Sequence, residues 1–363
     1  MTDLKDSGSG PKNAAGVSVP GDAEVGPATS APRFAIGNYR KELAIFILLV
    51  VLCAVTAAMN HSFLSSFNLE NMARLIGLFG IFSIGAGIVI ITGGIDLSVG
   101  SLFALEGVLL SIMLVDRHWG AVLAVVACMA FTGGLGLLHG FLITRARLQP
   151  FIVTLCGLLI YRGLARYIAD DSTKGFGDAT GFKAFQSLAT GSLPIHLSHR
   201  ISFDVPAPFV VLVVVSIVMW IVLHRSVYGR HLYAVGRNEE AARYSGINSR
   251  AIIASAYVVS AILAGISGIL FGFYTNSVSP SSHGNSYELY GIAAAVLGGC
   301  SLRGGAGSIV GIVIGTALLQ VLQNLVNLLG IKSSLNLAVM GSVILLGVLV
   351  DELLKARGAK RVA

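Results

Sequence analysis

The sequence predicts an all-α integral membrane protein, a polytopic bundle of about ten transmembrane helices. Three observations predict it. Hydrophobic residues make up 55% of the 363 residues and charged residues only 12%, against roughly 25% charged in a soluble domain. Mean hydropathy is +0.80. Apolar runs near the length a bilayer demands, about 20 residues, recur along most of the chain. A core can be that apolar but a water-facing surface cannot, so lipid must cover much of the protein.

The chain opens differently. Residues 1–32 are rich in Gly, Ser, Ala and Pro and poor in large apolar side chains. They cannot bury enough surface to offset chain entropy, which predicts a disordered tail. No apolar core of a signal peptide is present in them. The apolar runs follow at 43–59, 75–92, 97–115, 119–143, 151–168, 206–223, 252–274, 289–300, 306–329 and 335–350. Arg162 and Arg166 interrupt the fifth, and the eighth is short. Residues 40–352 thus read as one transmembrane domain, followed by a basic tail at 353–363.

Lys and Arg accumulate in cytoplasmic loops. With ten crossings and the N-terminus inside, Arg40, Lys41, Arg145, Arg147, Arg225, Arg230, Arg237, Arg243, Arg250 and the C-terminal Lys355, Arg357, Lys360 and Arg361 all share one side. The opposite loops are poorer, and Asp170, Asp171, Asp178 and Asp204 offset the cations of the long loop 169–205. Both termini are therefore predicted cytoplasmic. The net charge of +7 belongs to this asymmetry and not to nucleic acid.

Small residues four apart, Gly307, Gly311 and Gly315, and Ala264, Gly268 and Gly272, predict close helix packing. "GGIDLSVG" (Gly93–Gly100) and "GGCSLRGG" (Gly298–Gly305) share G-G-x-[DS]-L-x-x-G. They predict helix breaks at Gly93, Gly94, Gly298 and Gly299, and possible internal duplication, since transporters place broken helices at corresponding points of repeats. No GxxxxGK[ST], HExxH or GxSxG occurs, so neither a nucleotide cradle nor a hydrolytic centre is indicated. Cys53, Cys128, Cys156 and Cys300 are scattered, so no metal site is expected and the chain is expected to bind no cofactor.

One polar stretch stands out, "GRNEEAARYSGINSR" (Gly236–Arg250). Asn238 is a suitable N-cap. Glu239 and Glu240 lie at the positive end of the helix dipole, and Gly246 can terminate the helix. Two turns are too short to stand alone. Ala241, Ala242 and Ser245 offer a small-residue face that could pack on the protein's own bundle or on a partner.

"EAARYSG" (Glu240–Gly246) resembles the E-A-A-x-x-x-G cytoplasmic loop of ABC-importer membrane subunits. The longer "YGRHLYAVGRNEEAARYSGIN", with "ITGGIDLSVGS", "LQPFIVTLCGLLIYRGLA" and "AAAVLGGCSLRGGAGSIVG", is similar to permeases of the ribose, xylose and galactoside type. The similarity runs from about residue 40 to 352. It departs in the N-terminal extension and in lacking a Leu-Pro after the loop. Branched-chain amino acid permeases share the general fold. The resemblance implies that Asn238, Glu239, Glu240, Ala241, Ala242, Ser245 and Gly246 form a coupling helix in loop 224–250. It also implies a bacterial inner-membrane location, a separate ATPase subunit using ATP and Mg, a periplasmic or extracellular sugar-binding protein, and a second permease copy or paralogue.

Three further observations bear on a path. Asp96 and Ser98 follow a predicted break, where Asp96 would cap the next helix or meet sugar hydroxyls. Glu106 lies within an apolar run, and intramembrane carboxyls face the bundle interior, so it is a packing residue or a path residue. Tyr274 and Asn276, in "YTNSVSPSSHGNSYEL", would meet the binding protein, rim the path or form an ordinary polar loop. An ion-coupled carrier would need a relay for which Asp96 and Glu106 are thin material.

Overall fold

The structure is a computed structural model. It describes residues 40–177, 181–198 and 201–332, with isolated positions 335, 338, 339, 341, 342 and 345. The predicted tails 1–32 and 353–363, and most of the run 335–350, lie outside the described residues.

Among the described residues eight helices are long and apolar enough to cross a bilayer. The chain begins with α1 (Arg40–Met59) and α2 (Ser66–Ile91), then α3 (Val99–Ser111), which continues through a π turn at Ile112–Asp116. Next come α4 (Ala121–Thr144), α5 (Pro150–Ile168) and α7 (Ala207–Trp220), the last extended by a π turn at Ile221–Arg225. After the polar helices α8 (Val227–Arg237) and α9 (Glu239–Tyr244) the bundle closes with α10 (Ser249–Thr275), α11 (Tyr287–Leu297) and α12 (Ile309–Leu328).

The eighth apolar run is corrected here. It forms α11, 11 residues long, or about 16 Å at 1.5 Å per residue, half of a crossing. The irregular segment 276–286 supplies the other half, since β4 (Ser277–Val278) pairs with β1 (Lys174–Gly175) at one end of the bundle and Gly304 touches Gly236 at the other. The chain therefore still changes ends there. Such irregular backbone is tolerated at membrane depth only when protein surrounds it.

Helix α2 is the axis. Every residue from Gly77 to Ile91 is buried, and α7, α10, α11 and α12 pack around it. Ser267 of α10 donates to the Leu78 carbonyl. Around this axis α1, α4, α5 and α7 expose Phe46, Leu123, Phe141, Leu159 and Ile217, an outward apolar surface suited to lipid. The end of the bundle that carries β1 and β4 also carries α6 (Lys183–Thr190) and the hairpin of β2 (Ser192–Ser198) with β3 (Ile201–Pro206), in register Ser192 opposite Pro206.

The glycines four apart play two roles. A Cβ on Gly311 or Gly315 would collide with the carbonyl oxygens of Gly298 and Ala294, so α11 and α12 touch backbone to backbone. At Gly268 the space goes instead to the Glu106 side chain, and Gly272 packs on Phe176. Substituting Gly315→Val is therefore expected to destabilise the protein by about 1–3 kcal/mol, the usual range for overpacking, read as a lowered thermal midpoint in detergent. An unchanged midpoint would contradict this packing.

Candidate functional site

The polar stretch forms a capped helix with an exposed face. Asn238 Oδ1 accepts from the Ala241 amide at 2.9 Å. At the other end the Gly246 amide reaches the Arg243 carbonyl at 3.0 Å and the Ile247 amide reaches Ala242 at 3.1 Å, the paired bonds of a Schellman cap. Gly246 has φ +81°, which favours glycine. Glu239 Oε1 accepts from Ser249 Oγ at 3.0 Å, pinning α9 to the start of α10. The predicted small-residue face divides: Ala242 is buried against the protein's own bundle, whereas Glu240, Ala241, Tyr244 and Ser245 are exposed. Ala242 is thus an anchor and not part of an outward surface.

Helix α8 fixes this knob to the bundle. Its Leu232 and Val235 are buried. Tyr233 Oη donates to the Gly307 carbonyl at 2.7 Å, and Tyr228 Oη and Ser255 Oγ lie 3.0 Å apart. Where α8 meets α9, three chain segments converge. Gly236 has no room for a Cβ against the Ile91 carbonyl, and the Gly305 amide donates to that same carbonyl at 2.8 Å. Gly304 packs on both Gly236 and Gly93. The mount of α9 thus contacts the end of α2 and the 301–306 turn directly.

Both predicted breaks are Schellman caps. Gly93 has φ +85° and Gly299 φ +92°. The amides of Gly93 and Gly94 bond Ile90 and Val89, and those of Gly299 and Cys300 bond Val296 and Ala295. The aligned motif places Gly93 opposite Gly298, but the left-handed residues are Gly93 and Gly299, one position out of step. After the breaks the paths differ. Residues 94–98 run into the bundle and start α3, whereas 300–308 turn at its end into α12.

Asp96 lies inside the bundle at 4% exposure. Its Oδ1 accepts from the Ser98 amide at 3.0 Å and Ser98 Oγ at 2.7 Å, and Oδ2 accepts from Ser260 Oγ at 3.3 Å. It holds the turn before α3 without reaching the first-turn amides of that helix. Around it are residues that sequence reasoning missed: Thr154, whose Oγ1 donates to the Ile95 carbonyl at 3.1 Å, and Tyr161, whose Oη lies 2.8 Å from His139 Nε2. Tyr257 presses on Gly94, and its hydroxyl has no partner among the described residues. The only signal for them was polar or ring side chains inside apolar runs. This hydroxyl, imidazole and carboxylate set has the donors and acceptors a neutral polyol would need, and all of it is buried.

Glu106, two turns further along α3, is fully buried among Thr132, Gly265 and Gly268, and neither carboxyl oxygen has a partner among the described residues. Tyr274 and Asn276 are not brought to Asp96. Ser260 and Tyr274 are both on α10, about 21 Å apart along the axis at 1.5 Å per residue. Tyr274 Oη donates to Asn71 Oδ1 at 3.4 Å beside the Arg74 guanidinium, and Asn276 is an exposed left-handed cap of α10. Burial pushes the Cys300 thiol up to about 12, so it stays protonated. Among the described residues no cluster could hold a metal ion.

A multi-pass bundle with two capped helix breaks and a capped polar knob on their junction is the framework of a membrane transport subunit. The chain belongs to the family described as branched-chain amino acid transport system / permease component, whose model matches residues 68–348, and within it groups with ABC sugar-importer permeases. It is 36% identical over 324 residues to the ribose import permease protein RbsC of Bacillus subtilis (strain 168), covering 89% of this chain and 96% of that protein. It is 29% identical to the D-allose transport system permease protein AlsC of Escherichia coli (strain K12), covering 85% and 91%. To the xylose transport system permease protein XylH of Haemophilus influenzae (strain ATCC 51907 / DSM 11121 / KW20 / Rd) it is 29% identical, covering 85% and 96%. No solved structure gives a significant match. Members of this family are permease components of transport systems, and the eight long apolar helices among the described residues make this one a multi-pass membrane protein.

Each orphaned oxygen of Glu106 costs about 1–3 kcal/mol while unsatisfied. The Glu106→Leu variant is therefore expected to melt at a higher temperature than the parent. Loss of transport in that more stable protein would assign the carboxyl to the path, and a lower midpoint would show that it has a partner.

Proposed function

We propose that the chain is the membrane-spanning subunit that imports a monosaccharide, driven by ATP turnover in a separate ATPase subunit. The observation that carries the coupling is α9 itself, an exposed helix capped at both ends and carried by α8, whose last residues pack on the junction. Movement of α9 by a partner would pass through the end of α8 to residues 304–305, which follow α11, and through Gly304 to Gly93, which leads to Asp96. Nucleotide binding and hydrolysis in the partner would drive this motion in one cycle, through loop 224–250. The ribose, allose and xylose permeases among its relatives favour a sugar over a branched-chain amino acid. So does the hydroxyl-rich surround of Asp96.

The orientation follows from charge. Arg145 and Arg147 end α4, which packs at Gly140 on Ala254 near the start of α10. They share the α9 end with Arg225, Arg230, Arg237, Arg243, Arg250 and Arg303. The other end carries Arg74, Arg117, Lys174 and Lys183 beside Asp116, Asp170, Asp171 and Asp204. The α9 end is therefore cytoplasmic by the positive-inside rule, with both termini inside. A sugar-binding protein would dock on the opposite face, where Tyr274 and Asn276 lie. A second copy or paralogue would complete the pathway.

Two variants test the coupling. Proline cannot adopt the φ of +81° at Gly246, and Glu240→Lys reverses a charge on the outward face of α9. Both Gly246→Pro and Glu240→Lys are expected to reach the membrane at parental levels and to lose at least tenfold in sugar uptake per ATP hydrolysed. Parental uptake in both would refute coupling through α9.

A further inference from the structure

One segment that leaves the junction region and one from the opposite loop meet with their backbones in contact. One is the start of α3 at Gly100, the other the loop 279–286 ahead of α11. A Cβ on Gly100 would collide with the Gly284 carbonyl oxygen, and one on Gly284 with the Gly100 carbonyl oxygen. The first turn of a regular helix thus meets an irregular loop backbone to backbone. The loop's Pro280 and His283 carbonyls find their donor on a third element. Arg162 of α5 donates Nη1 to the Pro280 carbonyl at 3.0 Å and to the His283 carbonyl at 2.7 Å, and its Nη2 reaches the Gly100 carbonyl at 3.4 Å. One guanidinium therefore binds both segments.

The nearest opposite charge is on the loop side. Glu288, in the first turn of α11, has its Oε2 so close to Gly100 that a Cβ there would clash with it. Arg162 and Glu288 thus both abut Gly100, yet they form no ion pair among the described residues. The Arg162 donors are engaged by neutral carbonyls while a carboxylate, which forms bonds roughly twice as strong, waits beside them. Lysine could not replace this arrangement, because its compact charge lacks a planar fork.

We propose that Arg162 is the positioning residue of the translocation centre. It holds the two segments together in the resting state, and transport transfers its donors from the 279–286 carbonyls to the Glu288 carboxylate as the segments part. This rests on the sugar-import reading for its transport consequence, but not for its structural one. The two arrangements use the same guanidinium, so the loop and the α3 start cannot move independently. Glu288 supplies the alternative partner that keeps the charge compensated during the change.

The test uses the full transporter, with its ATPase and binding protein, in lipid nanodiscs. In Arg162→Gln, amide hydrogen exchange is expected to accelerate at least tenfold in both 96–101 and 279–286, with α9 unchanged. Acceleration in only one segment, or in neither, would overturn the proposal. Glu288→Gln keeps every carbonyl bond of Arg162, so its resting exchange should match the parent. Its maximal uptake rate should nevertheless fall about tenfold with unchanged half-saturation by the loaded binding protein, and Arg162→Lys should show the same loss. Parental uptake in Glu288→Gln would refute the transfer of donors. If the parental transporter moves no sugar while the exchange result holds, the function reading fails and the positioning role stands.

Discussion

The hydrogen bond from the Gly305 amide to the Ile91 carbonyl, 2.8 Å long, is the contact on which the architecture depends. It closes a junction of three backbones, the end of α2, the end of α8 and the turn before α12. Glycine at 236 and 304 lets those backbones touch. A helix that ends leaves its last carbonyls without intrahelical partners, and one that is buried and unsatisfied costs about 1–3 kcal/mol. The Schellman caps at Gly93 and Gly299 bond two of those carbonyls at each end, and Gly305 bonds another. The breaks in the helices are stable because they are joined to each other.

The same junction gives α9 a mechanical setting. A six-residue helix has little stability of its own. Asn238 and Gly246 stiffen its ends, Ala242 and the Glu239–Ser249 bond hold it down, and α8 carries it on Tyr228 and Tyr233. From its mount, contacts reach Gly304, which packs on Gly93, three residues before Asp96. The arrangement places a rigid external element against the two parts of the bundle whose backbone is least regular.

Legibility in the sequence varied with the kind of interaction. The crossings up to α12 were readable because lipid imposes a length and a polarity on each. The α9 helix was readable because caps are local, and Asn238 and Gly246 act within four residues of where they sit. Run 289–300 was harder. Its composition is that of a spanning helix, but its partner is the irregular loop 276–286, which no periodicity announces. The motif shared by the two breaks suggested a correspondence, and the left-handed positions fell one residue apart. Ala242 looked equivalent to Ala241 in spacing, and the way α9 leans on the bundle separated them.

Sequence alone determined the solvent of this protein, the approximate places where the chain crosses it, and the local motifs that begin and end its helices. These follow from hydropathy and from hydrogen bonds a few residues apart. Only the tertiary structure decided which polar side chains meet. Asp96 and Ser260 are 164 positions apart, and Arg162 and His283 are 121. Helices whose surfaces are all apolar can rotate against one another with little change in composition, so the choice of facing residues rests on close packing at glycines and on satisfying carbonyls where the helices break.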